Sequence, residues 1–214
     1  MTISYIEILS AGVACCAVLM CGLNRITPLL RLPAAQTAVI AAITALLGVR
    51  LHEPHYFWLA AVVLCTKAIA IPAYLSWAAG RLNLRRDSGT VLNPLMALLI
   101  GGGLLTAGYF LAPRVAVPAL ENVGAAGMAL ALLFIGMLLM LTRQLALSQI
   151  AGFLVLENGI FLYGLTQTHG MPLMVEMGVV FDVLVGVMVA GLVIFRLNRS
   201  FEHIDVTQLR GLRH

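Results

Sequence analysis

Charge is scarce in this sequence. Its 214 residues include 13 Lys and Arg and 9 Asp and Glu, a charged share of 10%, where soluble domains carry about 25%. A chain so poor in charge cannot hydrate the outside of a soluble globule, although its length would suit one or two such domains. Long polar connections are missing as well, so nothing larger than the 17-residue tail from Asn198 is left to build a soluble active site. Cysteine is sparse: Cys15, Cys16, Cys21 and Cys65 all lie in apolar stretches with no C-x-x-C pair. Zinc and iron–sulfur sites need clustered thiolates, so no metal or cofactor is expected in this chain, and the thiols read as packing residues. The first segment lacks a basic n-region, carries Glu7 instead, and is too long for the core of a signal peptide. No basic folded face suited to nucleic acid is visible either.

What is present is apolar surface. Hydrophobic residues make up 61% of the chain and mean hydropathy is +1.01. Runs of about 20 apolar residues match the hydrocarbon thickness of a bilayer, and seven are legible, near 3–23, 34–50, 56–79, 91–112, 122–141, 147–168 and 172–197. The expected fold is all-α and polytopic, with about seven transmembrane helices. Arg25, Arg31, Arg81, Arg85, Arg86, Arg143, Arg196, Arg199, Arg210 and Arg213 fall on one side of such an arrangement, against Arg50 and Arg114 on the other. The excess of Lys and Arg on cytoplasmic loops then puts the N-terminus outside and the C-terminus in the cytoplasm.

Four ionisable groups are left well inside spans: Lys67, Glu157, Glu176 and Asp182. Each costs several kcal/mol at mid-membrane unless paired or hydrated, so each is by default a functional candidate. At about 1.5 Å per residue, Lys67, Glu157 and Asp182 fall near one midplane on the third, sixth and seventh spans; Glu176 sits about a turn into the seventh. Desolvation and a neighbouring ammonium push a carboxylate in opposite directions, which suits a lateral proton relay. The blander alternatives stay open: a Lys–Glu pair can simply lock two helices, and Glu176 can cap a helix N-terminus. Supporting polar groups are Gln36, which reads as an interhelical hydrogen-bonder, together with Gln149, Asn158 and Tyr163. Pro72 is expected to kink the third span and free the Ala68 carbonyl. Gly124, Gly127, Gly152, Gly159 and Gly186 read as packing points, and Gly101–Gly103 as close packing or a bend.

The stretch "RQLALSQIAGFLVLENGIFL" carries Q-x-x-G-x-x-x-x-E-N-G, and in this it resembles component E of hydrogenase 4, from the formate-hydrogenlyase type of membrane-bound [NiFe] hydrogenase. "CTKAIAIPAYLSWAAGR", "LMVEMGVVFDVLVGVMV" and the tail "HIDVTQLRGLR" extend the resemblance. The last three spans alone look like subunit K of NADH–quinone oxidoreductase (complex I) and the C subunit of multisubunit cation/proton antiporters. Those carry membrane glutamates on their second and third helices. Glu157 matches the first; the second falls on Asp182, one methylene shorter. The resemblance implies a four-helix membrane region over 1–120, a subunit-K-like region over 121–197 and a cytoplasmic tail over 198–214. It implies a non-catalytic membrane-arm subunit in a bacterial or archaeal cytoplasmic membrane, contributing to a proton (or sodium) path. Partners would be antiporter-like subunits, a quinone-site-like membrane subunit and a peripheral arm holding the Fe–S clusters and [NiFe] site. A subunit of an antiporter without a redox arm, or an assembly scaffold, is the alternative. The tail, with Ile204, Val206, Leu209 and Leu212, is expected to dock on another chain.

Overall fold

The computed structural model describes residues 5–81, 86–87, 89–116 and 122–167, with Gly178, Gly186 and Gly191 as single helical positions. Six helices run through them: α1 (Tyr5–Cys21), α2 (Ile26–Leu51), α3 (His55–Arg81), α4 (Pro94–Val115), α5 (Val123–Thr142) and α6 (Ala146–Gln167). Apart from those three glycines, the seventh expected span lies outside the described residues, as do Glu176, Asp182 and the tail. Among the described residues the chain is all-helical, and extended pairing is confined to isolated bridges between Arg25 and Arg86 and between Thr90 and Arg143. Helices α2 to α6 are each long and apolar enough to cross a membrane; α1, with 17 residues, is shorter.

Local chemistry sets the ends. Asn93 caps α4 by accepting the Leu95 amide at 3.3 Å, and Pro94 follows at the first helical position, where its missing N–H costs nothing. Helix α2 stops at His52, which is left-handed at φ 56°, while the Glu53 amide closes back on the Gly48 carbonyl at 3.2 Å. This helix starts at Ile26, well before the expected 34. Its Pro28 falls in the first turn, where prolines are tolerated, and its Pro33 is carried inside the helix.

In α3 the kink expected at Pro72 takes another form. Leu64–Ala70 is a π-helical turn, in which the Ile71 amide reaches back five residues to the Thr66 carbonyl. Proline cannot donate to the carbonyl four residues earlier, and the wider turn directly precedes it. Lys67 sits in the middle of this turn.

The helices alternate in direction. The α1–α2, α3–α4 and α5–α6 connections meet on one rim, where the Asp87 amide donates to the Asn24 carbonyl and the Val91 amide to the Thr142 carbonyl, both at 2.9 Å. On the opposite rim, Tyr163 donates to the Val115 carbonyl at 2.8 Å and Gln167 to the Asn122 carbonyl at 3.0 Å. Helix α5 is central, packed on α1, α4 and α6, while α3 leans chiefly on α2. Glycine permits this closeness: a Cβ on Gly127 would lie 2.8 Å from the Gly108 carbonyl oxygen, and one on Gly152 would lie 2.9 Å from the Met140 amide. Gly124 abuts Glu7, Gly159 abuts α5, and Gly101 meets Cys21 on α1; a Cβ on Gly102 or Gly103 would meet nothing within 4 Å among the described residues.

Candidate functional site

Successive residues of an α-helix point about 100° apart, and the Glu157–Asn158–Gly159 triplet of α6 uses this to address three helices. Glu157 meets Lys67 on α3, with Nζ and Oε1 2.9 Å apart and only 4% and 3% of the two side chains accessible. Asn158 faces α2: its Nδ2 donates to the Pro33 carbonyl at 3.4 Å, and its Oδ1 lies 3.1 Å from the Thr37 hydroxyl. Gly159 faces α5, where a Cβ would lie 2.8 Å from the Ala129 carbonyl oxygen and 2.9 Å from the Leu132 Cβ. One residue supplies charge, the next a polar tether, the third the absence of a side chain that lets the helices close.

Glu157 lies eleven residues from the start of α6 and ten from its end, about 15 Å from either. Lys67 and Glu157 therefore meet close to the middle of α6. A paired ammonium and carboxylate in a low-dielectric interior attract strongly, yet each has lost its water. Moving one proton from Nζ to Oε1 removes both charges at once and changes the net charge of the site by nothing. Any change in separation, or a third charge nearby, alters the balance between these two forms.

The supporting residues divide. Asn158 belongs to the pair's surroundings. Gln36 is buried and donates from Nε2 to the Val13 carbonyl of α1 at 3.0 Å, as an interhelical hydrogen-bonder should. Its Oε1 has no hydrogen-bond partner among the described residues. Gln149 and Tyr163 are not brought to the pair. Gln149 donates to the Arg143 carbonyl at 2.9 Å on one rim, and Tyr163 binds the opposite rim. Glu176 and Asp182 lie outside the described residues.

Sequence reasoning missed three participants. Thr37 sits in an apolar run where a lone hydroxyl draws no notice. Arg143 reads from the sequence only as a loop charge and Asp87 has no assigned role there, yet both are buried. The Arg143 guanidinium donates to the Met20 and Cys21 carbonyls at 3.1 and 3.0 Å and to Asn24 Oδ1 at 3.3 Å, with Asp87 Oδ2 3.9 Å away. It thus serves the carbonyls that the end of α1 leaves open. Burial lowers its pKa from the ordinary arginine value, and the Asp87 charge opposes that shift. The Asp in "RRDSG", alone among basic neighbours, was the available signal.

Similarity to known proteins covers the whole arrangement. The chain is 35% identical over 210 residues, 97% of its length and 96% of theirs, to the "Uncharacterized protein Rv0085" of Mycobacterium tuberculosis. It is 24% identical over 181 residues, 84% of each chain, to the "Hydrogenase-4 component E" of Escherichia coli and of Shigella flexneri. No protein-family model matches the chain, and no solved structure does. The chain belongs to the family of the Mycobacterium tuberculosis protein Rv0085, with hydrogenase-4 component E as a distant homologue.

Proposed function

We propose that this chain is a non-catalytic membrane-arm subunit of a membrane-bound [NiFe] hydrogenase of the hydrogenase-4 type, and that its Lys67–Glu157 pair forms part of an intramembrane proton (or sodium) path. The observation that carries the reading is the 2.9 Å contact of two almost fully buried, opposite charges near the middle of apolar helices. Intramembrane charges of this kind are expensive and mark ion pathways. The distant homology to a hydrogenase component supports the choice of complex.

In this reading the four-helix region 1–120 and the subunit-K-like region 121–197 meet at that pair, and Asp182 and Glu176 extend the path on a seventh span. The N-terminus is outside, and the tail 198–214 docks on the cytoplasmic side of a bacterial or archaeal inner membrane. The Fe–S clusters and the [NiFe] site belong to the peripheral arm. Antiporter-like and quinone-site-like subunits cover faces such as that formed by Leu95, Leu99, Tyr109 and Phe110 on α4, which are exposed in the isolated chain.

Lys67→Met and Glu157→Gln test the reading. Each is expected to lower ion coupling at least about tenfold, in line with the weight of a positioned proton-transfer group, while the protein stays inserted and assembled. Full coupling in both variants rejects the relay. Loss of the assembled complex assigns the pair to helix locking instead. Purification of the native complex completes the test: hydrogenase subunits must accompany the chain, whereas antiporter subunits alone would identify a complex without a redox arm.

A further inference from the structure

We infer that Thr37 is a positioning residue for the buried pair: acting through Asn158, its hydroxyl sets the rotation of α6 that aims Glu157 at Lys67. The inference rests on the relay reading for its functional meaning, but its geometry stands apart from it. Thr37 is buried on α2, and its single hydroxyl proton has two acceptors in range, the Pro33 carbonyl at 2.9 Å and Asn158 Oδ1 at 3.1 Å. The Asn158 amide returns to the same Pro33 carbonyl at 3.4 Å. One carbonyl, one hydroxyl and one amide therefore form a clasp between α2 and α6, immediately beside Glu157 in sequence.

The clasp matters because of where α3 is held. Helix α3 rests mainly on α2, so the position of Lys67 is referred to α2, while Glu157 is carried by α6. Thr37–Asn158 is a direct side-chain link between those two carriers. Gly159 marks how closely α6 approaches α5, since even a Cβ there would lie 2.8 Å from the Ala129 carbonyl oxygen and 2.9 Å from the Leu132 Cβ; the clasp limits the roll on the α2 side. A turn of α6 by a fraction of one residue's 100° would carry the Glu157 carboxylate out of the 2.9 Å contact. At charge-assisted distances, an ångström decides whether a proton can pass directly.

The test is pH-jump infrared difference spectroscopy on the full chain in lipid vesicles, with the Glu157 carboxyl band identified by its loss in Glu157→Gln. Thr37→Val keeps the shape and removes the hydroxyl; it is expected to shift and broaden that band and, in the assembled native complex, to lower ion-coupled turnover roughly fivefold, the effect of one lost hydrogen bond. Thr37→Ser, which restores the hydroxyl, is expected to return both. Thr37→Ala is the second variant should valine prevent insertion. An unchanged band in the hydroxyl-less variants overturns the inference, and so does a shifted band that serine fails to restore. Should Glu157→Gln leave coupling intact, the relay reading falls, while a serine-restored band still establishes Thr37 as the residue that aims the pair.

Discussion

At the scale of single residues, the crossing of α5 and α6 is set by what Gly136 and Gly152 lack. A Cβ on Gly136 would lie 2.5 Å from the Leu156 amide nitrogen and 2.8 Å from the Gly152 carbonyl oxygen, both backbone atoms that cannot swing aside. Gly136→Ala is therefore expected to destabilise the protein by about 2–3 kcal/mol through overpacking, read as an earlier unfolding midpoint in detergent. Gly102→Ala, where a Cβ meets open space, is expected to stay within about 0.5 kcal/mol of the parent. The two glycines look alike as letters in an apolar helix, and only the neighbouring backbone separates them. Charge behaves differently. Lys67 and Glu157 were legible because an ionised group in an apolar span demands a partner wherever the helices go. Thr37 was not, because a hydroxyl in a helix can satisfy itself on the carbonyl four residues back, as Thr44, Thr106 and Thr166 do here.

At the scale of elements, length and hydropathy place the five long helices, while the devices that join them come from contacts distant in sequence. Arg143 reaches the end of α1 across more than a hundred residues, and nothing local to "LTRQL" distinguishes it from a loop arginine. Removing it leaves the Met20 and Cys21 carbonyls and a buried Asp87 without its donors. Arg143→Met is expected to cost about 3 kcal/mol, the range for breaking a buried charged network. The loss would show first as faster proteolysis and hydrogen exchange at 20–25 and 86–91, ahead of global unfolding. The start of α2 was misjudged for a related reason. Prolines at 28 and 33 and an arginine at 31 have the composition of a loop, yet Pro28 falls in the tolerant first turn and the burial of Leu29, Leu30 and Pro33 carries the helix onward. In α3, a proline signals disturbance without saying which kind; the structure answers with a π turn over Leu64–Ala70.

At the scale of the whole molecule, the rim that joins the α1–α2, α3–α4 and α5–α6 connections carries Arg25, Arg86 and Arg143, and the other carries Arg50 and Arg114. In a chain freed of native cysteines, Arg25→Cys is expected to react with an impermeant maleimide only from the cytoplasmic side, and Glu53→Cys only from outside. The reverse pattern would invert the proposed orientation.

The Lys67–Glu157 contact also bears on how the protein is made. Lys67 leaves the ribosome ninety residues ahead of Glu157 (67 to 157), and synthesis at about 5–20 residues per second makes that interval roughly 5–20 s. Throughout it α3 must enter the bilayer before its counter-charge exists, against an insertion cost of about 3 kcal/mol for a central lysine. The apolar residues of α3 and its hairpin with α2 carry that lysine through the interval. Translation itself thus imposes an order of assembly: the ammonium is placed first, and α6 arrives to find the site its glutamate must fill.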